Sequence, residues 1–167
     1  MPLKVAFDVR GHIVKYEVAL QSVSSRRVAV VRAWLKWSDL GKRLIPLLDR
    51  VYVAVRAGKV LQSGQNVFIY RDGSKAGVTV EVGVEVSSRF EEVDDVLYSE
   101  TPEGEVAWTM HTGPYAGLGA AHEAVLRWCS EHGRARSSVW WEIYGDWEED
   151  PECLQTEIFY LLLPSRS

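Results

Sequence analysis

The sequence predicts an α+β fold in which one antiparallel sheet carries two helices on a single face. The fold is a strand–helix–strand–strand unit used twice about a pseudo-two-fold. Two observations predict it. An offset of 74 residues pairs Tyr70 with Tyr144, Ile69 with Ile143 and Asp72 with Asp146. It also pairs Trp34 with Trp108, Ala33 with Ala107, Leu44 with Leu118 and Val51 with Val125. One gapless offset across a strand, a helix and another strand points to a duplicated supersecondary unit. The second observation is the order of patterns within each half: β-type runs, one stretch of helical periodicity, then β-type runs again.

In the first unit, residues 16–23 and 27–35 read as strands. A helix follows over about 38–56, where the Ser38 hydroxyl can cap the start. Its apolar stripe is Leu40, Leu44, Leu47, Leu48, Val51 and Val55. Strands then run over 66–70 and 77–86, and Val80, Val82, Val84 and Val86 alternate with Glu81, Gly83 and Glu85, as in a sheet with one covered face. The linker 89–95 is acidic and expected to be exposed. In the second unit the strands are 105–111, 139–144 and 154–163, with a helix over 114–132. Pro114 suits its first turn and Gly133 the position just past its end. Leu118, Ala121, Val125 and Cys129 would form its buried stripe. The expected organisation is one ligand-binding domain over 16–163, made of repeats at about 16–87 and 96–163, after an extension over 1–15 of unassigned role. The central cleft where the repeats meet is the natural ligand site.

Bulk properties exclude several classes. The chain has 167 residues, 47% hydrophobic and 25% charged, the balance of a soluble globular protein. A net charge of −4 with no basic stripe argues against direct nucleic-acid binding. No apolar run reaches the ~18 residues of a membrane span. Asp8, Arg10 and His12 interrupt what would have to be the core of a signal peptide, so the expected location is cytoplasmic. Cys129 and Cys153 read as small hydrophobes in a reducing compartment. Cys129 and His132 have metal-like spacing without two further ligands, so neither metal nor cofactor is expected. Gly117 and Gly119 lack the Lys-Ser/Thr of a phosphate loop, and no Gly-x-Ser-x-Gly elbow is present. The seven Trp against four Phe, by contrast, suggest a ligand surface or an interface.

The segment Trp140-Trp141-Glu142-Ile143-Tyr144 concentrates the chemistry. Strand alternation puts Trp140, Glu142 and Tyr144 on one face. A carboxylate between two aromatic rings is costly to bury without a cation, a donor or a proton. It lies either on a solvated strand surface with Trp140 and Tyr144 as cross-strand partners, or in a pocket. Tyr70 and Tyr144 hold equivalent places in the repeats, as do Trp34 and Trp108, and each pair suits either a core or a ligand wall. Tyr115, just after Pro114, can overhang a cleft, and Glu157, with Phe159 two residues on, either shares the cleft or pairs with a base. His111 reads as a hydrogen-bonded structural residue at a strand end.

Three stretches carry a family likeness. His111-Thr112-Gly113-Pro114-Tyr115, Trp141-Glu142-Ile143-Tyr144 and Leu154-Gln155-Thr156-Glu157-Ile158-Phe159 resemble the GyrI-like small-molecule-binding domain, also found as the effector-binding half of AraC- and MerR-type multidrug regulators. Residues 16–86, with Phe68-Ile69-Tyr70, resemble its N-terminal repeat. The resemblance implies a cleft for flat, hydrophobic, often cationic compounds. Glu142 would meet the positive charge, with Trp108, Tyr115, Trp140, Tyr144, Phe68 and Tyr70 as aromatic walls and Trp34 and Glu157 as further candidates. Some stand-alone members hydrolyse strained cyclopropane-containing toxins, which would make Glu142 with Tyr144 or Tyr70 the catalytic pair. Others are named as gyrase inhibitors; a protein partner here would have only the acidic segment 91–95 to meet. One departure is that Ser137 and Ser138 stand where the family often has Gly-Pro, which bears on the pocket rim.

Overall fold

The computed structural model describes residues 6–7 and 13–165. The first unit consists of β4 (Arg27–Lys36), α1 (Leu40–Arg56), β5 (Gln62–Arg71) and β6 (Gly77–Val86). The second repeats it as β8 (Gly104–Thr112), α2 (Leu118–Glu131), β9 (Arg136–Tyr144) and β10 (Gln155–Leu162). Two shorter strands, β3 (Ala19–Val23) and β7 (Leu97–Glu100), complete an eight-stranded sheet of order β3-β8-β10-β9-β5-β6-β4-β7, antiparallel throughout. The extension expected over 1–15 falls largely outside the described residues; within it, β1 (Ala6–Phe7) pairs with β2 (Ile13–Val14).

The edge strands are exchanged between units. β3 precedes the first unit in sequence yet pairs with β8 of the second, and β7 precedes the second yet pairs with β4 of the first. The units meet at β5 and β9, where Phe68 lies directly opposite Glu142. Those positions are 74 residues apart, the repeat offset, so the pseudo-two-fold passes between Phe68 and Glu142. Duplication thus puts two strands side by side at one symmetric point, and divergence places an aromatic ring and a carboxylate there.

Both helices cover one face. Leu47, Leu48, Val51 and Ala54 of α1 bury against Val78, Val80, Val82 and Val84 of β6. Ala121, Val125 and Cys129 of α2 bury against Ala107, Ile158 and Leu162. Each fully buried aliphatic side chain contributes about 1.5–3 kcal/mol. Ser38 does not cap α1. It sits within a 3₁₀ turn (Trp37–Asp39), and the Leu40 N–H bonds to the Trp37 carbonyl with no side-chain cap. That i→i+3 bonding satisfies a donor the hydroxyl would have served. Gly133 (φ +62°) does close α2, its N–H bonding to the Ser130 carbonyl.

Two sequence expectations change. The linker 89–95 leads into β7, a four-residue edge strand too short to announce itself by alternation. The linker is nevertheless exposed as expected at Glu91, Glu92, Asp94 and Asp95, the last two meeting Lys59 and Arg50 at the surface. The outer face of β6 is also covered: Glu81 is 0% exposed. Its carboxylate accepts from Arg71 Nε at 2.7 Å, Arg32 Nη2 at 2.8 Å and Ser99 Oγ at 3.2 Å. Burial pushes this acid up, but the Arg71 and Arg32 bonds and charges outweigh it and hold it below its ordinary 4.5. A depressed acid stabilises the fold above its unfolded value, and that contribution disappears as pH falls through the folded one. Thermal midpoints should therefore drop below about pH 4.5, and Glu81→Gln should flatten that acid limb. An unchanged slope in the variant would remove Glu81 from the acid response.

Of the cysteines, Cys129 is buried and Cys153 is exposed, and they are not bridged. Cys153 therefore does not serve as the small core hydrophobe expected. No described helix is long and apolar enough to cross a membrane.

Candidate ligand-binding site

Register builds the site at the junction. Alternation along β9 sends Trp140, Glu142 and Tyr144 toward the helices and Trp141 and Ile143 to the opposite face. β5 brings Phe68 opposite Glu142 and Tyr70 opposite Trp140; on the other side, β10 brings Tyr160 opposite Trp140. Three rings therefore stack in a row across three strands. Tyr70 and Trp140 lie 5.5 Å apart at 7°, and Trp140 and Tyr160 lie 5.9 Å apart at 6°. Phe68 packs on Tyr144 at 4.8 Å, and Tyr115 meets Tyr144 edge-on at 5.4 Å.

Glu142 is 4% exposed and accepts three hydrogen bonds. Tyr70 Oη donates to Oε1 at 2.7 Å and Tyr144 Oη to the same oxygen at 2.9 Å. His122 Nε2, reaching down from α2, donates to Oε2 at 2.8 Å. The other imidazole nitrogen, Nδ1, lies 2.8 Å from Tyr160 Oη. Among the described residues no Lys or Arg pairs with this carboxylate. Burial, reinforced by the Glu142 charge, pushes the Tyr70, Tyr144 and Tyr160 phenols above their ordinary value of 10.0. All three remain protonated donors at neutral pH.

Two cavities lie beside α1 and share its Leu44, and one of them also reaches α2. One, about 620 Å³, is floored by Glu142 and the Tyr70–Trp140–Tyr160 row, with His122, Leu118 and Trp37 at its sides. The other, about 440 Å³, is walled by Phe68, Tyr115, Tyr144, Ile45 and the exposed Trp147. Tyr144 lines the smaller cavity while its hydroxyl reaches Glu142. Among the described residues no group of three or more His, Cys, Asp or Glu side chains could hold a metal.

Three sequence candidates are elsewhere. Trp108, Glu157 and Trp34 lie on the face turned away from the helices. Trp108 sits opposite Phe159, which stacks on Trp141 at 5.1 Å, and its Nε1 donates to Glu157 Oε2 at 2.8 Å. Trp34 sits opposite Thr79, shares its face with Arg32 and Glu81, and is 55% exposed. The reason is strand parity. A repeat offset matches positions along the chain but does not say which face a residue takes once strands are registered. His111 is structural as read: its Nε2 donates to the Pro114 carbonyl at 2.8 Å, and Nδ1 accepts from Tyr16 Oη at 2.8 Å.

A family model described as the GyrI-like small-molecule-binding domain matches residues 17–162. The chain belongs to the GyrI-like family. Among solved structures, the GyrI-like chain is similar to the EcmrR C-terminal domain, with a TM-score of 0.73 and 19% identity over 91% of this chain and 100% of that one. It spans 57% of the EcmrR chain seen bound to DNA in the EcmrR–RPo assembly. It is also similar to SAV2435 bound to tetraphenylphosphonium, with a TM-score of 0.65 and 14% identity over 90% and 94% of the two chains. A hydrolase from Listeria innocua has a TM-score of 0.55 and 12% identity over 88% and 92%. No sequence among characterised proteins matches. At these identities the likenesses establish the GyrI-like fold.

His122 and Tyr160 escaped the sequence reading. A signal for His122 exists: it lies four residues after Leu118 and three before Val125, a polar side chain on an apolar stripe. Tyr160 becomes a site residue only through the register that sets it beside Trp140.

Proposed function

We propose that the protein binds bulky hydrophobic cations lacking N–H donors, with Glu142 reading the charge and the stacked rings reading the apolar body. One observation supports this most: a nearly inaccessible carboxylate floors a cavity walled by aromatic rings and, among the described residues, has only a histidine as potential counter-charge. A buried carboxylate with no Lys or Arg beside it is costly to keep charged, so such a site is suited to taking its cation from a ligand. Ring faces add about 0.5–2 kcal/mol each toward a cation placed over them.

Hydrogen-bond supply narrows the class. A carboxylate offers about four lone-pair positions, and Tyr70, Tyr144 and His122 take three. A primary ammonium or guanidinium would leave donors unsatisfied, whereas a quaternary or onium centre requires none. The SAV2435 complex with tetraphenylphosphonium is consistent with such a ligand in this fold. Titrating tetraphenylphosphonium against the neutral triphenylphosphine oxide, with tryptophan quenching as readout, tests the reading. Saturable binding of the cation, about tenfold or more tighter than the oxide, is expected. Equal affinities would remove the charge-reading role. Tyr144→Phe frees an acceptor position on Oε1, so it should narrow the preference for a quaternary over a primary ammonium by about threefold or more. An unchanged ratio would refute the donor-count argument.

One observation favours a second, hydrolytic reading: His122 and Glu142 form an imidazole–carboxylate pair beside two phenols, an arrangement able to take a proton from water. Product release from a cyclopropane-bearing electrophile, followed by mass spectrometry and lost in Glu142→Gln, would support it. Absence of product would leave binding alone.

A further inference from the structure

His122 sits between one group whose hydrogen-bond role is indifferent to its proton and one that switches role with it. On one side Nε2 donates to Glu142, which accepts in either state of the ring. On the other side Nδ1 meets the Tyr160 hydroxyl, a group that donates or accepts equally well. With neutral imidazole, Tyr160 donates to Nδ1; with imidazolium, Nδ1–H donates to Tyr160. Both hydrogen bonds persist, so protonation need not rearrange the site. What changes is the charge of the Glu142–His122 pair, which rises by one.

We infer that His122 is the specificity-determining residue of this cleft, an internal cation that competes with the ligand for Glu142. This rests on the charge-reading function proposed above. A hydrophobic cation binds to the neutral-imidazole form, and when His122 is protonated the ligand displaces that proton. By reciprocity, the proton weakens cation binding as much as the cation weakens proton binding.

The surroundings leave Glu142 as the dominant charge on His122. From β9 it faces Glu142 and the Trp140 ring, from β5 Tyr70, and from β10 Tyr160, over whose ring the Arg136 guanidinium lies at 6.0 Å. α1 presents Leu40 and Leu44 to the same cavity, and α2 presents Leu118 and Gly119. Glu123, the next residue on α2, is exposed. The ring also meets Tyr160 edge-on at 5.7 Å, which fixes it over the carboxylate.

The test is tetraphenylphosphonium binding to the full chain from about pH 8 down to about pH 5.5, spanning the ordinary histidine range. Wild-type affinity is expected to fall about tenfold over that span while triphenylphosphine oxide affinity stays level. His122→Gln keeps a donor for Glu142 and an acceptor for Tyr160 but cannot take a proton; its cation affinity should be independent of pH. Calorimetry of the wild type in buffers of different ionisation heat gives a second readout that needs no variant. It should show proton release on cation binding at the acid end of that span. Tetraphenylphosphonium binding that is level with pH in the wild type, or a slope that survives in His122→Gln, would overturn the role of His122 and leave the charge-reading function standing. Absence of binding at every pH would overturn both.

Discussion

Glu142→Gln is expected to weaken tetraphenylphosphonium about 10- to 100-fold while changing triphenylphosphine oxide by less than about threefold. A unit charge about 6 Å from a cation, at an effective dielectric of about 20, contributes close to 3 kcal/mol, the upper end of that range. The amide keeps the shape of the side chain, so the stacked floor of Tyr70, Trp140 and Tyr160 should persist. The new N–H group meets donors, but the Tyr70 and Tyr144 hydroxyls can turn and accept from it. A thermal midpoint close to wild type would show that the fold survives. Equal losses for the cation and the oxide would mean that the carboxylate shapes the cavity without reading charge. The two ligands differ in charge far more than in ring content, which makes the ratio of losses more informative than either loss alone.

The architecture was readable because a duplicated chain states it twice. Leu44 and Leu118 lie in helical stripes at the same offset that relates Tyr70 to Tyr144, and the central strands follow once the two units are laid about a common axis. β7 was not readable. Four residues of an edge strand with a charged end carry too little alternation, and its pairing with β4 is a long-range event. The core of the site was readable from one strand, since period-two alternation alone puts Trp140, Glu142 and Tyr144 together. Its limits depend on relations between strands. Trp108 and Glu157 have suitable chemistry, but registration against β10 and β9 turns them to the other face, where they bond to each other. His122 depends on something subtler still, the rotation of α2 over the sheet. The stripe Leu118, Ala121, Val125 and Cys129 determines that rotation, and a histidine at its edge then points at the junction.

Gly83→Ala is expected to cost more than about 3 kcal/mol, lowering the thermal midpoint by roughly 10 °C. Gly83 lies midway along β6, opposite Val30 of β4 and Val67 of β5. A Cβ built there falls 1.7 Å from the Ala29 carbonyl oxygen and 2.7 Å from its carbon. Those atoms are backbone in the longest ladder of the sheet, so no rotamer change relieves the overlap; β4 and β6 must separate locally and give up ladder hydrogen bonds. Gly41→Ala provides the control. Gly41 lies in the first turn of α1 with nothing within 4 Å of the added carbon, and there the methyl group should stabilise by up to about 1 kcal/mol through reduced unfolded-state entropy. Opposite signs for the same chemical change would locate the constraint in the close approach of β4 to β6. That approach holds β5 in place, and β5 carries Phe68 and Tyr70 to Glu142. A Gly83→Ala protein within about 1 kcal/mol of wild type would show that the centre of the sheet yields, and that the Tyr70–Glu142 distance is not held by β6.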